Sequence, residues 1–93
     1  RSLFRVLVTG DAVRHGKPHP EPYRTALRRL RVPPQRAVVV ENAPYGIRSA
    51  RRARAGLVVA VTTSLPAQYL REAHVVVRSV PRLIAYLTRI ALH

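Results

Sequence analysis

Short, uniformly apolar runs alternate along the chain with segments whose apolar residues recur at helical spacing. The apolar runs predict strands at 4–9, 37–40, 57–61 and 75–77, and the helical spacing predicts helices at about 20–31, 46–54, 66–72 and 81–91. Apolar strands separated by helices are typical of a parallel sheet, because each crossover lays a helix on one face. The pattern therefore predicts an α/β fold with three layers, a Rossmann-like parallel sheet between flanking helices.

The chain is strongly basic, with 17 Lys and Arg residues against 4 Asp and Glu and a net charge of +13. Such a charge favours a polyanionic partner such as nucleic acid. The alternative is that arginines fill the solvated helix faces. The first helix favours this alternative, since its apolar and basic residues fall on opposite faces: Tyr23, Leu27 and Leu30 against Arg24, Arg28 and Arg31. Aromatic residues that would stack on bases make up only 5% of the chain.

Membrane and secreted classes do not fit the sequence. The apolar runs are far shorter than the roughly 20 residues that cross a bilayer, and the first residues lack the long apolar stretch of a signal peptide. The chain has no cysteine, which suits a reducing compartment. We expect a cytoplasmic protein without a membrane partner.

Two candidate site residues follow predicted strands. Ligands of open parallel sheets bind at the carboxyl ends of the strands. The loop after the first strand contains Lys17, the only lysine, and Glu41 directly follows the second strand. An ammonium group is a compact point charge that can approach one phosphoryl oxygen, whereas a guanidinium is a planar fork. A phosphate site would explain the lysine; the alternative is that Lys17 has no functional role.

The order of these segments resembles a known family. The stretch VTGDAVRHGKPHPEPY, then RAVVVENAPYGIRSA and LVVAVTT, is similar to the carboxyl-terminal half of the core domain of haloacid dehalogenase-like hydrolases, in particular the β-phosphoglucomutase and sugar-phosphatase group. The resemblance covers roughly residues 4–80. It places the family's lysine motif on Lys17 and its acidic metal motif on Glu41 and Asn42.

The resemblance implies a chemistry and a substrate class. It implies a Mg²⁺-dependent phosphatase or phosphomutase that works through an aspartyl-phosphate and acts on a small phosphorylated metabolite such as a sugar phosphate. Lys17 would bind the phosphoryl group and stabilise its charge, and Glu41 and Asn42 would hold Mg²⁺. Asn42 stands where many relatives carry a second carboxylate, which predicts weaker metal binding unless Glu41 is the main ligand.

Other parts of the family pattern are missing from residues 1–93. The resemblance places the nucleophilic aspartate, its strand and the cap domain before Arg1, and Asp11 is predicted to be a turn residue instead. We therefore expect residues 1–93 to be the carboxyl-terminal portion of a core domain, inactive by itself. Two alternatives stand beside this one: a basic, non-catalytic domain that binds nucleic acid by charge, and an inactive truncated product.

The family topology has a consequence for the sheet. In a complete family member the nucleophile strand lies at the sheet centre, between the second strand here and a missing strand that precedes the first one here, so residues 4–9 and 37–40 would not be neighbours. Without that strand two apolar edges lack partners. We expect such a chain to be unstable, to aggregate or to pair its strands anew.

Overall fold

The structure is a computed structural model that describes residues 5–8, 21–62 and 65–91. Within these residues four parallel strands form one sheet in the order β1 (Arg5–Val8), β2 (Ala37–Glu41), β3 (Leu57–Val61) and β4 (Val75–Val77). The helices are α1 (Glu21–Leu30), α2 (Pro44–Arg52) and α3 (Val80–Ala91), with 3₁₀ turns at Pro34–Arg36 and Ala67–Tyr69. The predicted fold class is confirmed.

The two faces of the sheet are covered by different helices. Side chains alternate along a strand, so the apolar residues of β2 divide between the faces. Val39 packs in a cluster with Tyr23 of α1 and Ile47 of α2. Val38 packs on the opposite face, in a cluster with Leu83 of α3. The sheet is therefore the middle of three layers, as the uniformly apolar strands predicted.

β1 and β2 are direct neighbours in the sheet. They pair in parallel from Arg5 opposite Ala37 to Val8 opposite Val40. The structure thus places side by side two strands that the resemblance predicts to be apart in a complete family member. This pairing satisfies backbone groups that would otherwise lack partners along one edge of β2.

The end of α1 differs from the prediction. Arg31 has φ 58°, in the left-handed region, and the Val32 N–H donates to the Leu27 carbonyl over 2.9 Å. This bond belongs to a Schellman motif, which ends a helix and brings the residue after the turn onto the helix's last apolar position. Val32 and Leu27 share a core cluster. Arg31 is thus outside the helix and Leu30 is 56% exposed, so the placement of these two residues on opposite helix faces was wrong.

α2 is shifted towards the amino terminus of the chain. It begins at Pro44, two residues before the predicted start, and ends at Arg52. A proline is tolerated at the first helical position because the N–H it lacks would have no helical partner there. Arg54 has φ 65°, and the Ala55 N–H donates to the Ala50 carbonyl over 3.2 Å. The end is again a Schellman motif, and the predicted extension to Arg54 was wrong.

The predicted helix over 66–72 is only a 3₁₀ turn, Ala67–Tyr69. The following residue, Leu70, is fully buried in the core on the side of α1 and α2. A single turn is enough to direct Leu70 into that layer before the chain enters β4.

Candidate functional site at the carboxyl end of β2

Glu41 is the last residue of β2 and lies at the edge of the sheet where ligands of this fold class bind. Alternation along the strand directs it to the same face as Val39, towards α1 and α2. Only 2% of Glu41 is exposed. A carboxylate thus enters the buried layer at the expected edge of the sheet.

The hydroxyl of Tyr23 holds this carboxylate from the side of α1. It donates to Oε2 of Glu41 over 2.5 Å, and Tyr23 is itself 2% exposed. Burying a carboxylate is costly unless hydrogen bonds replace those it made to water. The contact joins residues that are 18 positions apart, so it is a product of the tertiary fold.

The β2–α2 turn approaches the same carboxylate from a second direction. The backbone N–H of Asn42 donates to Oε1 of Glu41 over 3.2 Å. Asn42 is half-buried and therefore lies nearer to solvent than Glu41. The turn presents two adjacent oxygen-bearing side chains, one inside the layer and one at its border.

Gly46, in the first turns of α2, leaves room for the carboxylate. A Cβ atom at this position would overlap the carboxyl group of Glu41. Glu41 thus contacts α1 through Tyr23 and α2 through Gly46. Neither Tyr23 nor Gly46 was singled out from the sequence. Alternation along β2, which turns Glu41 towards the two helices, is the signal that points to such partners.

The chemistry of the pair fits Mg²⁺, which prefers carboxylate and amide oxygens. Glu41 and Asn42 are adjacent, and the hydrogen bonds from Tyr23 and the turn hold Glu41 in one orientation. Within the part of the chain that the structure describes, no cluster of three or more His, Cys, Asp and Glu residues surrounds the pair. Two oxygen-bearing side chains of the kind that bind Mg²⁺ are thus adjacent at this strand end, and a complete ligand set would need further groups.

Lys17, the predicted phosphate-binding residue, lies outside the described residues, as do Asp11 and the rest of 9–20. α1 begins at Glu21, directly after this segment. The structure thus describes one of the two predicted site segments, the end of β2, and not the other.

Arginines gather at a different place, around a groove of about 600 Å³ lined by Arg48, Arg51, Arg52, Arg71 and Glu72. Arg48 pairs with the Glu72 carboxylate at 2.8 Å, and Arg51 donates to the Glu72 carbonyl over 3.1 Å. The second half of α2 and the segment before β4 form this groove. It therefore lies towards the opposite edge of the sheet from Glu41.

No helix among the described residues is long and apolar enough to span a bilayer.

The chain matches a family model described as haloacid dehalogenase-like hydrolase over residues 1–61, more than half of its length. It therefore belongs to the haloacid dehalogenase-like hydrolase family. The matched range contains Lys17, Glu41 and Asn42, so the resemblance found in the sequence is confirmed at the level of the family.

Two phosphatases are among the proteins to which the chain is similar. The chain is 46% identical over 76 residues to a validoxylamine A 7'-phosphate phosphatase of Streptomyces hygroscopicus subsp. limoneus. It is 42% identical over 62 residues to a phosphorylated carbohydrates phosphatase of Thermotoga maritima. The matches cover 82% and 67% of this chain but only 35% and 29% of the relatives, so the chain spans about a third of their length.

A solved structure shares the fold. The crystal structure of a haloacid dehalogenase family hydrolase from Deinococcus radiodurans R1, with bound phosphate and sodium, matches with a TM-score of 0.71 at 31% identity. The match covers 83% of this chain and 36% of that one.

Proposed function

We propose that residues 1–93 are the carboxyl-terminal portion of the core domain of a Mg²⁺-dependent phosphohydrolase, a phosphatase or phosphomutase that acts on small phosphorylated metabolites such as sugar phosphates. The observation that carries the proposal is the Glu41–Asn42 pair, which lies at the carboxyl end of β2 within the family match. Relatives named as a phosphorylated carbohydrates phosphatase and a validoxylamine A 7'-phosphate phosphatase support the substrate class. In this proposal the nucleophile strand and the cap lie outside residues 1–93.

The residues of this chain have distinct roles in the proposed reaction. Glu41 and Asn42 hold Mg²⁺, which when bound neutralises phosphoryl oxygen charge. Lys17 places its ammonium against a phosphoryl oxygen and stabilises the negative charge of the transition state. The attacking aspartate, which forms the aspartyl-phosphate, comes from outside residues 1–93. Residues 1–93 alone are therefore expected to show no phosphatase turnover.

Substitutions of Lys17 test the proposal in the protein expressed from its natural start codon. Lys17→Ala is expected to lower turnover of sugar phosphates at saturating Mg²⁺ by at least about 100-fold, because a preorganised charge is lost. Lys17→Arg is not expected to restore it, because a planar fork does not reproduce the point charge.

Arg14→Ala is the matched control, since it removes a neighbouring cation of the same segment. It is expected to leave turnover within about threefold, because the proposed reaction gives Arg14 no role and salt screens the effect of charges that do not contact the reacting group. Near-normal turnover in both Lys17 variants would rule out the proposed role of Lys17.

A further inference from the structure

We propose that Tyr23 is a positioning residue for the Glu41–Asn42 pair. The inference rests on the proposed function, because it concerns the oxygens proposed to hold Mg²⁺. Tyr23 does not itself stand at the strand end; it lies in the first turn of α1 and reaches Glu41 through its hydroxyl. Its role would be to fix the direction of a carboxylate.

The contacts of the carboxylate support this role. Tyr23 approaches from α1, the Asn42 N–H approaches from the turn, and Gly46 closes the space on the side of α2. A hydrogen bond to a charged group inside a protein is stronger than an ordinary one, and losing its donor leaves a desolvated oxygen. Without the Tyr23 hydroxyl the carboxylate loses one of the hydrogen bonds that orient it, and the bond from the Asn42 N–H no longer fixes it from two sides.

The position of Tyr23 along the chain adds a second argument. α1 directly follows the segment that contains Lys17, and Tyr23 is in its first turn. The hydrogen bond to Glu41 therefore joins the helix after the lysine segment to the strand end with the proposed metal ligands. This buried contact thus links α1, which follows the lysine segment, to the strand end on which the proposed function depends.

The test is the Mg²⁺ affinity of Tyr23→Phe, measured by titration calorimetry without substrate on the protein expressed from its natural start codon. Phenylalanine keeps the ring in the core and removes only the hydroxyl. Removal of a group that orients a metal ligand commonly costs 10- to 100-fold in affinity, so the Mg²⁺ dissociation constant is expected to rise about tenfold. Tyr86→Phe is the matched control, because Tyr86 is a partly buried tyrosine on the opposite face of the sheet. The Mg²⁺ dissociation constant of this variant is expected to change less than about twofold, because Tyr86 lies far from the proposed ligands.

A second variant approaches the carboxylate from the other side. Gly46→Ala places a methyl group where the Glu41 carboxyl group lies. It is expected to weaken Mg²⁺ binding as well. Because both changes act through one carboxylate, Tyr23→Phe with Gly46→Ala should weaken binding by less than the product of the single effects.

The possible results separate the two proposals. If Tyr23→Phe lowers the denaturation midpoint but leaves the Mg²⁺ dissociation constant unchanged, Tyr23 is merely structural and the inference is overturned. If Asn42→Ala and Glu41→Ala weaken binding while Tyr23→Phe does not, the proposed function stands and only the positioning role fails. If the parent protein binds no Mg²⁺, or if Asn42→Ala and Glu41→Ala leave binding unchanged, both proposals fail.

Discussion

Glu41 and Tyr23 illustrate how single polar side chains are accommodated in this small core. Glu41 shares its layer with apolar residues such as Val39 and Ile47, yet every buried side-chain polar atom in the described part of the chain has a hydrogen-bond partner. Hydrogen bonds to charged groups contribute about 1.5–3 kcal/mol each, which offsets part of the cost of removing a carboxylate from water. The same bond that makes the burial tolerable also fixes the direction of the carboxylate.

The side chain of His74 is hydrogen-bonded to the backbone of β3. Its Nδ1 accepts a hydrogen bond from the Val58 N–H over 2.8 Å, and its own backbone N–H donates to the Val58 carbonyl over 2.9 Å. Desolvation by burial and the nearby Arg51 guanidinium lower the pKa of His74 from its usual 6.5. An imidazole protonated on both nitrogens has no acceptor, so the contact to Val58 requires the neutral ring.

This contact predicts a pH-dependent stability. Since the pKa of His74 is lower in the folded chain than in the unfolded chain, the unfolded chain binds the proton more readily and the free energy of unfolding should fall as the pH drops below 6.5. The slope cannot exceed about 1.4 kcal/mol per pH unit for one proton. Urea denaturation between about pH 8 and pH 5 measures it.

His74→Asn is the matched control for that measurement. Asparagine offers an acceptor oxygen at the position of Nδ1 but does not titrate. The other histidines are present in both proteins. The difference between the two proteins in the pH dependence of the unfolding free energy therefore gives the contribution of His74 alone. Parallel pH curves for the two proteins would show that His74 is not the group that titrates.

At the scale of the elements, α1 and α2 end in the same way. Each helix places an arginine, Arg31 or Arg54, in the left-handed conformation of a Schellman motif, a position that glycine usually occupies. A residue with a Cβ atom pays roughly 1–2 kcal/mol for this conformation. The two helix ends therefore contain local strain that the packing of Val32 and Ala55 offsets.

Glycine at either position should relieve that strain. Arg31→Gly and Arg54→Gly are each expected to raise the unfolding free energy by about 0.5–1 kcal/mol, the relieved strain less the entropy cost of glycine in the unfolded chain. Urea denaturation measures the change. Arg29→Gly and Arg52→Gly, which lie within the last helical turns, are the controls and should lower it by about 1 kcal/mol. Loss of stability at all four positions would argue against the left-handed assignment.

At the scale of the whole molecule, the arginines of the described residues lie at the surface. No arginine in the described ranges is buried, and Arg24 and Arg28 face away from the buried Tyr23 and Leu27. This distribution is what solvated helix faces require. Binding of a polyanion by charge alone stays a prediction.

The sheet order predicts a specific contact in the isolated chain of 93 residues. Because β1 pairs with β2, nuclear Overhauser effects are expected between the backbone protons of Leu7 and those of Val39, its partner in the register. The β2 amides should also be protected from hydrogen exchange, since both strand edges are paired. Exchange-labile β2 amides without contacts to Leu7 would contradict this sheet order.

Much of the fold follows from periodicity along the chain. The runs at 57–61 and 75–77 became β3 and β4 with the predicted bounds, and β2 extends only one residue further, to Glu41. These elements depend on side chains a few positions apart, so a sequence pattern is sufficient to find them. The placement of Glu41 at a strand end, and hence at the edge where ligands bind, is determined at the same level.

Contacts between remote segments were decided only by the tertiary structure. The left-handed Arg31 and Arg54 carry no glycine signal, so the ends of α1 and α2 depend on which carbonyls and core positions the following residues reach. The partner of Glu41 is Tyr23, on another element, and no local spacing specifies that bond. The sequence by itself determined the elements and the edge at which a site would lie; packing of the helices on the sheet decided which side chains meet there, because those contacts join residues that are distant along the chain.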